Sequence, residues 1–316
     1  METVLITGAS GLIGNRLTSL LQKRGYRVTH LSRKITGKST VETFQWNVKK
    51  QTIDERAVEE ADYIVHLAGA GIADTKWPAS RKKEIIDSRT EGIHLLFKTI
   101  QKTHTTIKCF VSASGIGIYG AATREHIFTE TDLPATDFLG ITCKLWEGAA
   151  ETIAKLGIRT VKLRTGIVLS EKGGALPKMA KPIQLFVGSP LGSGQQYMPW
   201  IHLDDVCAIY IKAIEDESMS GPYNAVAPEH TTNACFTHLL ANALHRPLIM
   251  PNVPSFLLKF ILGEMSIAVL QGSRASCNKL LSTGYLFKYD TLRKAMKQLF
   301  STNITLPVAH QKVHAD

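Results

Sequence analysis

The sequence predicts an α/β protein in which a doubly wound parallel sheet is followed by a smaller, mainly helical domain. Short, continuously apolar segments alternate with amphipathic helical segments through the first half of the 316 residues, as strands buried on both faces do. A glycine-rich turn joins the first predicted strand to the first predicted helix. The alternation weakens after about residue 168, where glycine and proline become frequent.

The predicted elements follow from hydrophobic periodicity along the chain. A strand at residues 4–6 precedes a helix at 12–23, whose leucines fall on one face. A long helix is predicted at 80–103, because its apolar side chains recur at helical spacing. The same reasoning predicts strands at residues 28–31, 63–67, 107–111, 160–163 and 222–226, and helices at 141–155 and 206–214.

The composition is that of a globular protein, with 44% hydrophobic and 20% charged residues. The formal net charge is +10, but the basic residues are spread along the chain, so we expect no nucleic-acid partner. No stretch of about 18 consecutive apolar residues occurs, so we expect no membrane partner. The five cysteines include no CxxC pair. We therefore expect neither a metal site nor a disulfide framework. Together with a strand at the very start, these features favour a cytoplasmic location.

The strongest local signal is the turn after the first strand, where residues 7–14 read Thr-Gly-Ala-Ser-Gly-Leu-Ile-Gly. The three glycines allow a tight turn, a close approach of the main chain to a pyrophosphate, and close helix–strand contact. The N-terminus of the following helix offers N–H groups and a partial positive charge to phosphates. The alternative is a turn that holds no ligand. We predict cofactor contacts from Gly8, Ser10, Gly11, Leu12, Ile13 and Gly14.

The second strand ends with Ser32, Arg33 and Lys34, at the point where a carboxylate would bind the ribose hydroxyls of NAD. Arg33 can instead stack on adenine and hold a 2′-phosphate with two hydrogen bonds. A carboxylate would repel that phosphate, so this sequence favours NADP(H). The alternative is a solvated loop that carries two cations by chance.

A central predicted strand ends with His66, Leu67, Ala68 and Gly69. The last three are predicted to pass close to the adenosine and phosphate part of the cofactor, and His66 to be a packed or surface residue. On the long helix, Arg89 either extends towards solvent or points into the cofactor cleft, and Glu84 is placed to reach a ribose hydroxyl.

Together these motifs resemble the extended short-chain dehydrogenase/reductase type, the NAD-dependent epimerase/dehydratase group. The resemblance rests on the glycine-rich turn and on residues 65–69, 111–114, 119–120 and 163–169. Residues 32–34, 88–89, 192–194 and 199–205 are similar to an atypical subgroup of NADP-dependent oxidoreductases, and residues 246–295 to its C-terminal domain of unknown function. This resemblance, over roughly residues 1–300, implies cofactor contacts at Ser32, Arg33, Leu67, Ala68, Glu84 and Arg89.

The resemblance and the weaker pattern after residue 168 predict the domain boundaries. Residues 1–168 and 202–228 are expected to form an NADP-binding Rossmann domain, and residues 169–201 and 229–300 a smaller substrate-binding domain. Residues 301–316 are expected to form a loose tail.

Two details of the second half are also predicted. Residues 200–204 are expected to pack the helix that follows against the smaller domain, with Asp204 or Asp205 as its N-cap. Phenylalanine and methionine side chains between residues 256 and 265 are expected to form the core of a helix.

Hydride-transfer enzymes of the parent family use a serine, a tyrosine, and a lysine four residues after the tyrosine. Ser114 matches the serine, and Ser112, close by, is predicted to contact the cofactor. Lys144 follows Ser114 by thirty residues and is predicted to hold the nicotinamide ribose. The tyrosine is missing, because position 140 is Gly140.

Tyr119 is the obvious substitute as proton donor, and its alternative role is structural or substrate-lining. Asp137 is expected to be a solvated loop carboxylate. The favoured function is an NADP(H)-dependent oxidoreductase or nucleotide-sugar-epimerase-like enzyme that acts by hydride transfer on an unidentified small polar substrate. The alternative is a non-catalytic NADP(H)-binding sensor or regulatory protein. The chain is expected to be a monomer or a homodimer.

Overall fold

The computed structural model describes residues 1–35, 40–120 and 125–300. The loose tail predicted at residues 301–316 lies outside these described residues. Within them, no helix combines the length and the apolar character that crossing a bilayer requires.

The strands are short and the helices flank them. The strands are β1 (Thr3–Thr7), β2 (Arg27–Ser32), β3 (Thr43–Asn47), β4 (Thr52–Ile53), β5 (Tyr63–His66), β6 (Cys109–Gly115), β7 (Ile127–Phe128), β8 (Arg159–Thr165), β9 (Ile167–Leu169), β10 (Trp200–His202), β11 (Gly221–Ala225) and β12 (Arg274–Ala275). The α-helices are α1 (Leu12–Lys23), α2 (Arg56–Glu59), α3 (Ala79–Thr103), α4 (Phe138–Ala154), α5 (Ala175–Gln184), α6 (Leu203–Glu215), α7 (Asn233–Ala243), α8 (Ser255–Leu262), α9 (Ile267–Leu270), α10 (Asn278–Leu281) and α11 (Leu292–Phe300). Two 3-10 helices cover Ile116–Tyr119 and Gly263–Ser266.

The main sheet has eight strands in the order β11-β8-β6-β5-β1-β2-β3-β4. All neighbours pair in parallel except β3 and β4. From β1 the chain first builds the sheet towards β2 and β3 and later returns to β5 on the other side of β1. The order therefore reverses between β1 and β5, and in such sheets ligands bind at this point, outside the carboxyl ends of the strands.

The fold class predicted from the sequence is confirmed, because this is a doubly wound sheet with helices on both faces. Helices α1 and α6 pack on one face in a core that contains Leu17 and Tyr210. Helices α2, α3 and α4 cover the other face in a core that contains Ile93 and Trp146. The sequence did not predict β3, whose inward Phe44 and Trp46 alternate with polar residues.

A smaller core forms beyond the sheet, from α5, α7, α11 and strands β9 and β10. It contains Trp200, Phe236 and Leu292. Leu280 and Tyr285, by contrast, pack in the main core with β11 and α6. The C-terminal residues thus contribute to both cores, and the predicted domain boundaries stay a prediction.

The packing of residues 200–204 is as predicted, but the N-cap is not. His202 is the N-cap of α6, because its Nδ1 accepts from the backbone N–H of Asp204 at 3.1 Å. The His202 ring also lies 3.9 Å from the ring of Tyr289, in the segment before α11. Asp204 and Asp205 were wrong as N-caps because both lie inside the first turn of the helix.

The expected helix core between residues 256 and 265 is also wrong. A helix forms there, but no residue of α8 is buried. The apolar pattern predicted burial, and the structure instead leaves Phe256 and Phe260 in contact with solvent.

Asp205 fastens the C-terminal segment to the main domain. Its carboxylate is 2% exposed and accepts from the Tyr285 hydroxyl at 3.0 Å and from the backbone N–H groups of Lys288 and Tyr289 at 2.8 and 3.0 Å. Three donors on one short segment therefore depend on a single acceptor on α6.

Replacing Asp205 by alanine is expected to lower the free energy of unfolding by about 3 kcal/mol, because buried donors lose their acceptor. The measurement is urea unfolding. Asp204→Ala is the control, since Asp204 pairs with the partly exposed Arg16 at 2.8 Å, and its loss should cost less than about 1 kcal/mol. Equal losses in the two variants would contradict this account.

Candidate functional site

The turn between β1 and α1 is packed so closely that side chains have no room at two of its glycines. Gly8 has a φ of 71°, and a Cβ there would lie 2.8 Å from the backbone N of Ala68. A Cβ on Gly14 would lie 2.6 Å from the Cα of Ala9. The turn therefore lies directly against the end of β5, as the glycine pattern predicts.

The N-terminus of α1 is available to an anion. Gly11 is the N-cap and no side chain caps the helix, so the first N–H groups of α1 have no side-chain acceptor. The Gly11 N–H itself closes the turn on the Gly8 carbonyl at 3.0 Å. Ser10 is exposed beside this end of the helix.

The end of β5 is fixed by a hydrogen bond inside the sheet. Thr7 Oγ1 lies 2.9 Å from His66 Nδ1 and accepts from the Ala68 N–H at 3.3 Å. His66 is fully buried, and burial lowers the pKa of its imidazole to about 3. His66 is thus a neutral packed residue, as expected.

Arg89 is a buried cation without a carboxylate partner among the described residues. It is 6% exposed, donates from one terminal nitrogen to the Ile85 carbonyl at 2.9 Å and lies over the Trp146 ring at 5.0 Å. Its Nε has no acceptor, and burial lowers the pKa of the guanidinium to about 10. A Cβ on Gly69 would come within 3.3 Å of this side chain. Arg89 therefore does not extend towards solvent. Its side chain lies against Gly69, just beyond the end of β5.

Arg33 is a second unpaired cation, at the end of β2. The register pairs Thr7 with Leu31, which puts Ser32 and Arg33 beside the glycine-rich turn. Arg33 is exposed, and no carboxylate pairs with its guanidinium in the part of the chain that the structure describes. Glu84, by contrast, accepts from Arg81 at 2.7 Å and is largely exposed, so its cofactor contact stays a prediction.

A buried polar network lies beneath the end of β6. Ser114 donates to Glu147 Oε1 at 2.7 Å. Glu147 forms a two-point ion pair with Arg164, at 2.8 and 2.9 Å. Ser112 is buried in the same strand and donates to the Ala113 carbonyl at 2.9 Å. Sequence reasoning missed Glu147 and Arg164, although both carry a charge within apolar patterns.

Tyr119 belongs to the same network. Its hydroxyl donates to Asn224 Oδ1 at 2.7 Å and accepts from Arg164 at 2.9 Å. Tyr119 is 2% exposed, and burial raises the pKa of its phenol to about 12. Because its hydroxyl is engaged on both sides inside the protein, the geometry favours the structural role over the proton donor.

A comparison of sequences and structures identifies the family. The NAD dependent epimerase/dehydratase family matches residues 4–226, and a domain of unknown function, DUF1731, matches residues 253–299. The chain belongs to the NAD dependent epimerase/dehydratase family. The resemblance drawn from the motifs is thereby confirmed, including that of the C-terminal residues.

Similar proteins match almost end to end. Epimerase family protein YfhF of Bacillus subtilis is 35% identical over 306 residues, 96% of this chain and 99% of that protein. Mouse epimerase family protein SDR39U1 is 33% identical, over 94% of this chain and 99% of that protein. The crystal structure of human SDR39U1 with NADPH has a TM-score of 0.84 at 32% identity, covering 95% of this chain and 99% of that one. Thermus thermophilus UDP-glucose 4-epimerase, at 21% identity and a TM-score of 0.74, shares the fold.

Helix α4 carries both the predicted Lys144 and two buried polar side chains. Lys144 is exposed on this helix, and its contact with the nicotinamide ribose stays a prediction. Cys143 and Glu147 take the inner face, one turn apart. Cys143 Sγ lies 3.5 Å from where a Cβ on Gly115 would be, and burial raises the pKa of its thiol to about 12, so it is a neutral side chain.

Gly140 packs so closely against the backbone that no side chain fits at this position. A Cβ there would lie 2.3 Å from the Ala135 carbonyl oxygen. Its N–H donates to Asp137 Oδ1 at 2.8 Å, which makes Asp137 the N-cap of α4. The expectation that Asp137 is merely solvated is therefore wrong, because its carboxylate caps the helix.

Gly140→Ala is expected to lower the free energy of unfolding by about 2 kcal/mol, because the added methyl group meets backbone. Gly148→Ala, in the same helix, is the control. A Cβ there has no neighbour within 4 Å, so this change should raise stability by up to about 1 kcal/mol. Urea unfolding of both variants makes the comparison, and a neutral result at position 140 would refute the steric argument.

Proposed function

We propose that the protein binds NADP(H) at the carboxyl ends of β1, β2 and β5 and transfers a hydride between this cofactor and a small polar substrate. The observation that carries the proposal is the buried guanidinium of Arg89, without a carboxylate partner among the described residues. A buried charge is costly unless an opposite charge lies beside it. An anionic dinucleotide in the adjoining groove supplies that charge.

The chain's own residues fit the cofactor. Gly8 and Gly14 leave a cradle that any side chain would fill, and the uncapped N-terminus of α1 suits a pyrophosphate. Arg33 is free to take a 2′-phosphate. The NADPH in the crystal structure of human SDR39U1, at 32% identity, supports the same choice. NADPH supplies a hydride from its nicotinamide ring when it is bound.

In this proposal Ser114 binds the substrate oxygen and Glu147 positions Ser114. Because the Ser114 hydroxyl donates to Glu147, its lone pairs are left to accept from a substrate hydroxyl. When that alcohol is oxidised, its carbon would lose a hydride to NADP+, its hydroxyl proton would pass to Ser114 Oγ, and the Ser114 proton would pass to the Glu147 carboxylate. Reduction of a carbonyl by NADPH would reverse these transfers. The two-point contact with Arg164 fixes the Glu147 carboxylate. The proposed substrates include nucleotide sugars. We also propose that the protein is a monomer or a homodimer and that it lies in the cytoplasm.

A second candidate is a non-catalytic NADP(H)-binding sensor. One observation favours it: the hydroxyl protons of Ser114 and Tyr119 are both engaged inside the protein, by Glu147 and Asn224. Neither side chain is more than 4% exposed. A protein that binds the dinucleotide without turnover needs no proton donor at the cleft.

Arg33→Ala is expected to raise the Kd for NADPH by about 10- to 100-fold and to leave that for NADH nearly unchanged, because only NADPH loses a phosphate contact. Isothermal titration calorimetry measures both. Lys49→Ala serves as control, since it removes an exposed cation outside the site. An equal loss for the two dinucleotides would show that Arg33 does not read the 2′-phosphate.

A panel of carbonyl compounds mixed with NADPH separates the two candidates, with nicotinamide absorbance as the readout. For the enzyme, we expect turnover of at least one compound and a fall in kcat of about 100-fold in Ser114→Ala and Glu147→Gln, at unchanged Kd for NADPH. Leu145→Ala, which shortens a side chain that is 45% exposed on the same helix, should behave as wild type. Tight NADPH binding without turnover supports the sensor.

A further inference from the structure

Helix α8 is apolar and yet lies entirely at the surface. Six of its eight residues are apolar, and none of the eight is buried. Phe256 is 74% exposed and Phe260 is 84% exposed. A surface helix of a globular protein normally turns its apolar face to a core, and among the described residues no core covers this one.

Two further apolar segments lie beside α8. Leu185, Phe186 and Val187 are three consecutive exposed residues at the end of α5, and Ile249 and Met250 are exposed in the loop before α8. Runs of this kind are rare on soluble surfaces unless they have a function. We call residues 185–187, 249–250 and 256–261 together the apolar rim.

Contacts join the segment that follows residues 185–187 to the loop that leads into α8. The Gly192 N–H donates to the Val253 carbonyl at 2.8 Å, and the Val253 N–H donates to the Pro190 carbonyl at 2.9 Å. The guanidinium of Arg246 lies over the Phe186 ring at 5.1 Å. The loop before α8 therefore runs alongside the segment that follows α5.

Phe186 is held in an unfavourable backbone conformation. Its φ is 62°, a region that bulky residues rarely occupy because the Cβ approaches the backbone. In this conformation Phe186 stays 45% exposed. Phe186 directly follows the C-cap of α5, where its N–H donates to the Ile183 carbonyl and the Val187 N–H donates to the Pro182 carbonyl, both at 3.0 Å. The conformation therefore belongs to the turn that ends the helix.

The rim has a strong charge bias. Residues 172–203 and 230–263, which supply all three parts, contain five lysines and arginines and neither aspartate nor glutamate. Lys181 and Lys259 are exposed among the apolar side chains. Acidic residues flank both segments at positions 171, 204, 229 and 264, and Glu264, which follows α8, is paired with Lys82 at 2.6 Å.

We propose that the apolar rim docks the protein on the surface of a bilayer that contains anionic lipids. Aromatic and aliphatic side chains enter the headgroup region, and the lysines reach the lipid phosphates. A second copy of the chain fits this face poorly, because it would bring the same positive charge. Such docking needs no spanning segment, so the expectation of no membrane partner, which rested on the lack of one, does not address it.

Sedimentation with lipid vesicles tests the proposal, with phosphatidylcholine vesicles set against an equal mixture of phosphatidylcholine and phosphatidylglycerol. The full chain should bind the mixed vesicles and not the neutral ones. Phe256→Ser/Phe260→Ser should lower the partition coefficient by about 100-fold. Lys181→Gln/Lys259→Gln should lower it by about 20-fold, and added salt should lower the binding of the wild type.

The control is Leu133→Ser/Leu286→Ser, which removes two side chains that are 86% and 87% exposed outside the rim. It should bind like the wild type. Thermal unfolding of each variant checks the fold, and because the substituted side chains are exposed, the transitions should not move.

Three outcomes would overturn the proposal. They are failure of the wild type to bind mixed vesicles, equal binding to both vesicle types, and unchanged binding of the Phe256→Ser/Phe260→Ser variant. Light scattering provides a fourth: a dimer that Phe256→Ser/Phe260→Ser dissociates would make the rim an interface between two copies.

Discussion

Backbone contact between Gly8 and Ala68 brings the carboxyl ends of β1 and β5 together, and the candidate cofactor site depends on it. A Cβ on Gly8 would stand 2.8 Å from a backbone atom of Ala68, so a side chain would push the two strand ends apart. The contact leaves the N-terminus of α1 open to an anion, with Arg33 on one side and Arg89 on the other. In the proposed function, one dinucleotide supplies the opposite charge for these two cations, which have no carboxylate partner among the described residues.

The end of β6 is held by a buried polar network. A two-point ion pair between Glu147 on α4 and Arg164 ties Ser114 and Tyr119 into this network. Buried ion pairs of this kind fix geometry more than they add stability. The network therefore makes the end of β6 rigid, which suits either an orienting serine or a fixed wall beneath a bound nucleotide.

The C-terminal residues combine two kinds of surface. Asp205 fastens one part of them to α6 through three buried donors, whereas α8 remains uncovered and basic segments surround it. One part of the C-terminal residues is thus fixed to α6, and another part, α8, presents apolar side chains to solvent. An apolar face of the size that α8 presents is rarely left exposed to water unless it has a function.

The sequence by itself determined six of the eight strands of the main sheet, the main helices and the glycine-rich turn, because buried parallel strands, helical periodicity and glycines at a close approach leave local patterns. It also indicated Arg33, whose place at the end of β2 follows from strand order. Only the tertiary structure decided the partners of Arg89, Glu147 and Arg164, since they come from distant parts of the chain. The same holds for Gly140, whose constraint is the Ala135 carbonyl, and for α8, whose apolar pattern is the same whether a core covers it or not. Periodicity shows which face of a helix is apolar, but only the packed structure shows what that face contacts.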